Sequence, residues 1–245
     1  MIFYGLIGYP LAHSGSRAFF AEKFQKEGKQ GYEYQEFPLP SLNDFPPLFK
    51  QYPCLKGLNV TNPYKVSIIP WLEGIDAKAE KIGAVNTILV YREKGNVHLN
   101  GFNTDSDGFQ KSSDFSGHTH ALILGTGGAS KAVAFALKEM GISYLFVSRN
   151  KKCLNEVLYD ELTEKVFSNH TLIINATPLG MFPDNESTPP ISYQYLTEKH
   201  FLYDLVYFPP RTTFLKKGEA MGARVQNGRK MLEIQAELSY RIWNK

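Results

Sequence analysis

The sequence predicts an α/β fold with two domains. Short apolar runs typical of strands alternate with segments whose apolar residues recur at helical spacing. Beyond Asp105 the strand-like runs become predominantly apolar, at residues 121–124 and 201–205, as in a parallel sheet that is covered on both faces. The 245 residues suffice for two domains of moderate size. We therefore expect one domain over residues 1–103 and a second over residues 104–229.

The first domain is predicted to begin with a buried strand at residues 2–7, an apolar run that stops at Gly8. A helix at residues 14–27 should follow, because three phenylalanines recur at helical spacing ahead of Gly28. The remaining elements predicted here are strands at 32–37 and 55–60, helical pieces at 41–51, 66–72 and 77–81, and a hairpin of residues 84–91 and 97–100.

The second domain is predicted to open with a strand at residues 121–124, a glycine turn, a helix at 130–140 and a strand at 142–147. Residues 151–169 are too few for a full crossover helix and a strand, so we expect a truncated helix or an irregular loop there. The later elements are strands at 171–175 and 201–205, and a helix at about 230–245 that we expect to pack back on the first domain.

Composition and charge argue against several classes of function. The formal net charge of +3 is only mildly basic and does not favour a nucleic-acid partner. No apolar run reaches the roughly 18 residues that a membrane helix needs, and the N-terminus lacks the basic start of a signal peptide. Cys54 and Cys153 have neither metal-site nor disulfide spacing. We expect a cytoplasmic protein that binds no metal ion, no membrane and no nucleic acid.

The glycine turn is typical of a dinucleotide site. Gly125, Gly127, Gly128 and Ala129 connect a buried strand to a helix, so that backbone N–H groups and the helix N-terminus can meet a pyrophosphate. Ser130 stands where the usual fingerprint has its third glycine. The second domain is therefore predicted to be Rossmann-like and nucleotide-binding. A ligand is expected in a cleft between the two domains. A purely structural glycine turn remains the alternative.

The end of the next strand indicates the cofactor. NAD sites usually have an acidic residue here for the ribose 2′-hydroxyl, whereas this chain has Arg149, followed by Lys151 and Lys152. A guanidinium can bind a 2′-phosphate through two parallel hydrogen bonds. The pattern favours NADP, and a solvated basic loop remains open as the alternative.

Polar residues follow several strands of the first domain. Ser14 and Ser16 stand at a helix start, where hydroxyl and N–H groups can hold a carboxylate, although Ser14 could equally be an ordinary helix cap. Lys65 and Asp105 each follow a strand. Taken alone, the first would be a surface lysine and the second a turn former.

Taken together, these segments resemble the shikimate dehydrogenase family over the whole chain. The matching pieces are residues 8–10 with 13–16, then 59–65, 83–87, 101–105 with Gly108, the glycine turn, 175–181, 204–207 with Pro209 and Thr212, and 228–235. Eight such pieces in the right order and spacing make the resemblance specific.

The resemblance implies an NADP-dependent enzyme of chorismate and aromatic amino-acid biosynthesis that interconverts 3-dehydroshikimate and shikimate. It implies that Lys65 and Asp105 are the catalytic pair beside the reacting C3 oxygen. The implied substrate-binding residues are Ser14, Ser16, Thr61, Asn86, Tyr207 and Gln235. The implied cofactor-binding residues are Gly125, Gly127, Gly128, Ala129, Arg149, Thr177, Met181, Gly228 and Met231. A cationic Lys65 would stabilise the oxygen and donate a proton while Asp105 orients it, and which of the two is the formal acid stays open.

Three features depart from the family pattern. Arg17 stands where a proline is common, Ser148 and Asn150 replace the residues that usually flank the arginine, and residues 151–169 are short. Two alternatives remain open: a quinate/shikimate dehydrogenase with relaxed cofactor use, and a non-catalytic shikimate-binding regulator. Either a monomer or a homodimer is compatible with the sequence.

Overall fold

The computed structural model of the chain describes residues 1–11, 15–151 and 154–245. These residues separate into two compact units. The first unit consists of Met1–Asp105 with Glu233–Lys245, and the second of Ser106–Leu232. Each unit is built on one six-stranded sheet. Within the described ranges, no helix combines the length and the apolar character needed to cross a lipid bilayer.

The sheet of the first unit is mixed. Its strands are β1 (Ile2–Gly8), β2 (Tyr32–Pro38), β3 (Leu55–Val60), β4 (Gly74–Ile75), β5 (Thr87–Glu93) and β6 (Asn96–Phe102). They lie in the order β2-β1-β3-β5-β6-β4. Strand β1 is parallel to β2 and β3, whereas β5 is antiparallel to both β3 and β6. The carboxyl ends of β1, β3 and β6 therefore share one edge of the sheet with the amino end of β5.

The sheet of the second unit is entirely parallel. Its strands are β7 (His120–Leu124), β8 (Ser143–Ser148), β9 (Glu156–Leu158), β10 (Leu172–Asn175), β11 (Phe201–Asp204) and β12 (Arg224–Asn227). They lie in the order β12-β11-β10-β7-β8-β9, and every pair is parallel. The chain moves outward in one direction from β7 and in the other from β10. This reversal is the switch point at which Rossmann-like sheets bind dinucleotides.

The helices complete both units. They are α1 (Gly15–Lys26), α2 (Pro47–Gln51), α3 (Tyr64–Ser67), α4 (Ala77–Ile82), α5 (Asp105–Ser112), α6 (Gly128–Glu139), α7 (Glu164–Asn169), α8 (Thr213–Ala220) and α9 (Arg229–Trp243). Glycine ends several of them: Gly83 caps α4 with a φ of 67°, and Gly141 has a φ of 72° just beyond α6.

Both faces of the first sheet are buried. Successive residues of β1 point to opposite faces, so Tyr4 and Ile7 enter different hydrophobic cores. On the Tyr4 side, Trp243 near the end of α9 stacks on the tyrosine ring, with centroids 4.9 Å apart. Its indole Nε1 donates to the Ile88 carbonyl at 3.0 Å. A Cβ at Gly57 would lie 2.2 Å from the Trp243 ring, so glycine is required there for the end of α9 to pack on β3.

The parallel sheet is likewise covered on both faces, as the predominantly apolar strands predict. Ile123 and Ile174 pack in one hydrophobic core with Val133 of α6. Leu122 and Ile173 pack in the core on the other side. The prediction of a Rossmann-like parallel sheet is confirmed.

Several elements differ from the sequence prediction. The helix predicted at 41–51 is interrupted, because Pro46 and Pro47 lack the N–H groups that would continue it, and only Leu42–Asp44 forms a 3₁₀ turn before α2. Between residues 154 and 169 the expected truncated helix is the six-residue α7, and it is preceded by two elements that were not predicted, β9 and a 3₁₀ turn at Tyr159–Glu161. Four further elements were not predicted, namely β4, β12, α5 and α8.

Candidate functional site

A lysine and a carboxylate meet at the edge of the first sheet. Lys65 lies in α3, which begins directly after β3 and Pro63, and Asp105 begins α5 just after β6. Because β3 and β6 end at the same edge, residues 40 positions apart come into contact. Lys65 Nζ donates to Asp105 Oδ2 at 2.5 Å, and the two side chains are only 14% and 7% exposed.

Because the Lys65 and Asp105 side chains are both largely buried, each one stabilises the charge of the other. An ion removed from water without a partner is costly, whereas a paired ion keeps much of its stabilisation. The position of Asp105 in the first turn of α5 also favours a negative charge, because the partial positive charge of the helix N-terminus lies there. The arrangement keeps an ammonium group in a site from which water is largely excluded.

Asn86 holds the other oxygen of the carboxylate. Its Nδ2 donates to Asp105 Oδ1 at 2.9 Å, to Thr104 Oγ1 at 2.9 Å and to Gln235 Oε1 at 3.3 Å. Its own carbonyl Oδ1 accepts from the Thr104 backbone N–H at 2.7 Å. The Asn86 backbone bonds to Val60 and Phe102 in the flanking strands. The structure thus brings together four residues predicted for the site: Lys65, Asn86, Asp105 and Gln235.

A buried network of side-chain hydroxyl and amide groups supports Asn86. Thr87 Oγ1 donates to Asn86 Oδ1 at 3.0 Å and lies 2.7 Å from Ser239 Oγ. Asn59 Nδ2 donates to Ser239 Oγ at 3.0 Å, and Asn59 Oδ1 accepts from the Tyr34 hydroxyl at 2.8 Å. Sequence reasoning missed this network. The feature of the sequence that could have indicated this network is the presence of polar residues inside otherwise apolar elements, such as Asn59 in β3.

Three further residues of the first unit were predicted for the site. Two of them, Thr61 and Ser16, lie within the residues that the structure describes. Thr61 follows β3, and a Cβ at Gly8 would lie 2.5 Å from its Cγ2, so the ends of β1 and β3 are close there. Ser16 is buried in the first turn of α1, where Arg17 is exposed. Ser14 lies outside the described residues.

The glycine turn of the second unit leaves room for an anion. Gly125 has a φ of 103°, which a side chain disfavours, and its Cβ would lie 3.0 Å from Thr177 Cγ2. Gly127 caps α6 without any side-chain hydrogen bond, and a Cβ there would meet no atom within 4 Å. A helix start with backbone N–H groups and open space beside it fits a pyrophosphate. Helix α6 begins at Gly128, two residues earlier than predicted, so the buried Ser130 lies inside it.

The segment after β10 is held by a deeply buried carboxylate. Asn175 Oδ1 accepts from the Thr177 hydroxyl at 2.6 Å, and Asn175 Nδ2 donates to Asp204 Oδ1 at 2.9 Å. Thr212 Oγ1 donates to Asp204 Oδ2 at 2.5 Å. Burial raises the pKa of Asp204 from 3.8 to about 7, although hydrogen bonds from Thr212, Val206 and Asn175 favour its charged form. This chain of bonds fixes Thr177 beside Gly125.

The Asp204 carboxyl should make stability depend on pH. Its folded pKa lies above its unfolded pKa, so the folded state binds the proton more tightly, and stability should fall as the pH rises from about 4 to about 7. Asp204→Asn keeps the size and an acceptor oxygen, so it should remove this loss. We expect denaturant unfolding at pH 5 and pH 8 to give a smaller difference for Asp204→Asn than for the wild type.

The exposed Asp184→Asn is the control for this measurement, and it should behave as the wild type does. Comparing variants cancels the contribution of other titrating groups, such as His118 and His170, whose pKa values burial lowers. An equal pH dependence in Asp204→Asn and the wild type would show that the carboxyl does not titrate in this range.

The remaining predicted residues of the second unit are placed as follows. Gly228 is required, because a Cβ would lie 2.3 Å from the Leu205 carbonyl oxygen. Met181 is exposed, Tyr207 is half-buried, and Met231 is buried in a hydrophobic core. Arg149 is exposed directly after β8. Lys152 lies outside the described part of the chain. Among the described residues, no group of three or more His, Cys, Asp or Glu side chains is placed to hold a metal ion.

Comparison with known proteins gives consistent matches. The family model of the shikimate dehydrogenase substrate binding domain matches residues 6–88. The chain is 37% identical to the shikimate dehydrogenase (NADP(+)) of Halothermothrix orenii, over 98% of the chain and 89% of that protein.

Solved structures agree over nearly the full length. Shikimate 5-dehydrogenase from Thermus thermophilus, in complex with NADP(H) and shikimate, is 32% identical with a TM-score of 0.83, covering 99% of this chain and 93% of that one. Quinate dehydrogenase from Corynebacterium glutamicum, in complex with NAD, is 26% identical with a TM-score of 0.84, covering 99% and 93%.

Proposed function

The chain belongs to the shikimate dehydrogenase family, and we propose that it catalyses the NADP-dependent interconversion of 3-dehydroshikimate and shikimate. The observation that carries this proposal is the buried contact between Lys65 and Asp105, with Asn86 on the second carboxylate oxygen. A proton donor and a proton acceptor held in contact are suited to moving a proton to and from a substrate oxygen. We assign substrate binding to the first unit and cofactor binding to the second.

The chemistry divides between the cofactor and the chain. NADPH, when bound, supplies the hydride that adds to the C3 carbonyl carbon of 3-dehydroshikimate. Negative charge then develops on the carbonyl oxygen and needs a cationic or hydrogen-bond-donating partner. The Lys65 ammonium has three N–H donors, one of which Asp105 accepts. A second donates to the substrate oxygen and gives up its proton as the hydroxyl forms. In the reverse direction the pair receives that proton.

The other residues of the edge position the substrate. Asn86, Gln235 and Thr61 present amide and hydroxyl groups suited to the ring hydroxyls. Ser14 and Ser16 supply hydroxyls for the carboxylate, and we place Tyr207 near the same group. The proposal is supported by the hydrogen bond between Asn86 and Gln235, which joins the strand end to α9 at this edge.

The second unit supplies a cradle for the cofactor. Gly125, Gly127, Gly128 and Ala129 present backbone N–H groups to the pyrophosphate at the start of α6. Arg149 binds the 2′-phosphate. On the nicotinamide side we place Thr177, Met181, Gly228 and Met231. The backbone N–H and the hydroxyl of Thr177 both donate to Asn175 Oδ1, which holds Thr177 in position.

The function is tested by mixing the purified protein with shikimate and either NADP⁺ or NAD⁺ and following the absorbance of the reduced nicotinamide. The proposal predicts reduction of NADP⁺ and a much slower reduction of NAD⁺. Equal rates with both cofactors, or turnover of quinate, would instead identify a quinate/shikimate dehydrogenase with relaxed cofactor use. Binding of shikimate without any turnover would identify a regulator.

Replacing Arg149 by alanine should weaken NADP⁺ binding selectively. A hydrogen bond to a charged group contributes about 1.5–3 kcal/mol, so the KM for NADP⁺ should rise about 10- to 100-fold while that for NAD⁺ changes little. Lys151→Ala is the control, because Lys151 is already paired with Glu161 at 3.5 Å. If both variants raised the two KM values equally, Arg149 would not bind the 2′-phosphate.

A further inference from the structure

The hydrogen bond from Asn86 to Asp105 requires one of the two orientations of the Asn86 amide. In that orientation Nδ2 donates to Asp105 Oδ1 at 2.9 Å, and Oδ1 accepts from the Thr104 backbone N–H at 2.7 Å. Turning the amide over would place its oxygen against the carboxylate and its N–H groups against the Thr104 N–H. Groups of like polarity would then face each other in a buried site, which is costly. A side chain that holds the Asn86 amide in place therefore also holds Asp105.

Thr87 is such a side chain, because its hydroxyl reaches the oxygen of the Asn86 amide. Thr87 Oγ1 donates to Asn86 Oδ1 at 3.0 Å. The Thr104 hydroxyl also lies near this oxygen, but at 3.3 Å, and it accepts from Asn86 Nδ2 at 2.9 Å. An amide oxygen has two acceptor positions, so the Thr104 N–H and the Thr87 hydroxyl fill both. Thr87 begins β5 and is 0% exposed.

The groups behind Thr87 extend the same series of hydrogen bonds. Ser239 Oγ lies 2.7 Å from Thr87 Oγ1, and either atom can be the donor. Ser239 Oγ also accepts from Asn59 Nδ2 at 3.0 Å, and it donates to the Gln235 backbone carbonyl at the longer distance of 2.9 Å. When Ser239 donates to Thr87, every group from Asn59 to Asp105 donates to the next one. Such a series polarises its members, so each hydrogen bond strengthens its neighbour.

We propose that Thr87 is a positioning residue for proton transfer, whose hydroxyl holds the Asn86 amide in the orientation that donates to Asp105. The inference rests on the proposed function, since it assigns Thr87 a part in the same reaction. Because Thr87 is fully buried, it makes no contact with the substrate and acts through Asn86. Loss of the hydroxyl loosens the carboxylate that orients the Lys65 ammonium, and kcat falls.

The test removes the Thr87 hydroxyl in the presence and in the absence of the Asp105 carboxylate. The kcat for shikimate oxidation by NADP⁺ is measured for the wild type, Thr87→Val, Asp105→Asn and the double variant. Valine keeps the shape of threonine and suits a strand. We expect Thr87→Val to lower kcat about three- to tenfold, the factor that corresponds to one hydrogen bond. In Asp105→Asn the same substitution should change kcat less than about twofold, because the carboxylate through which Thr87 acts is already absent.

Two further variants separate positioning from stability. Thr87→Ser keeps the hydroxyl and should retain a kcat within about twofold of the wild type, since the donor to Asn86 remains. Tyr4→Phe is the control, because the Tyr4 hydroxyl donates to Asn244 at 3.1 Å within the same unit. It should turn over as the wild type does. The folded fraction of every variant is determined by denaturant unfolding.

Thr87→Ala is made in parallel, since Thr87→Val places a methyl group against buried polar atoms, and one folded variant without the hydroxyl is enough. An unchanged kcat in that variant would overturn the role of Thr87. So would an equal factor with and without the Asp105 carboxylate, or an equal loss in Thr87→Ser or Tyr4→Phe. These outcomes reject this inference alone when the wild type reduces NADP⁺ with shikimate. If the wild type gave no turnover, the proposed function itself would fail, and this inference with it.

Discussion

Replacing Lys65 by alanine is expected to lower kcat for shikimate oxidation by about 10²- to 10⁴-fold, the range typical of lost general acid–base catalysis. The KM for shikimate should change much less, because the ammonium acts mainly on charge that develops in the transition state. The measurement is steady-state NADP⁺ reduction over a range of shikimate concentrations.

Two checks belong to this experiment. Lys81→Ala, on the exposed side of α4, should retain the kcat of the wild type. Removing Lys65 also leaves a buried Asp105 without its cation, which destabilises the fold, so the folded fraction is determined by denaturant unfolding before rates are compared. A kcat unchanged in folded Lys65→Ala, with only KM raised, would mean that Lys65 binds substrate and takes no part in proton transfer.

Asp105→Asn should cost activity on a similar scale, because it removes both the charge that holds the ammonium and a proton acceptor. The amide has nearly the same size, so packing around Asn86 should be largely kept. We expect kcat to fall about 10²- to 10⁴-fold and the KM for shikimate to change little. Kinetics with NADP⁺ measure both values.

The matched control is Asp107→Asn, the same substitution two residues along α5. Asp107 contacts Lys111 at 3.9 Å across one helical turn, an ion pair of the kind that contributes little. Its kcat should remain that of the wild type. Equal losses in the two variants would point to damage to α5 and not to the chemistry of Asp105.

The sequence predicted the architecture from local signals. Continuous apolar runs such as 121–124 indicated a parallel sheet, and the glycines after β7 indicated a dinucleotide turn, because both depend on neighbouring residues alone. The pairing of Lys65 with Asp105 came only from family resemblance. No local pattern connects residues 40 positions apart, and their contact follows from the way β3, β5 and β6 pair.

The features that could not be predicted from the sequence depend on tertiary structure. Thr87 and Ser239 are ordinary polar residues until α9 packs against the first sheet and brings their hydroxyls within 2.7 Å. The three-residue strand β9, which adds to the edge of β8, was not predicted either. So short a strand has too few residues for a periodic pattern.

The central claim is that Lys65 and Asp105 act as one unit in proton transfer, and a double-mutant cycle tests it most directly. The kcat of the wild type is compared with those of Lys65→Ala, Asp105→Asn and the double variant. Residues that act as a unit are strongly non-additive, so the double variant should be no slower than the slower single variant. Losses that multiply in the double variant, or single variants that turn over at the rate of the wild type, would contradict the account.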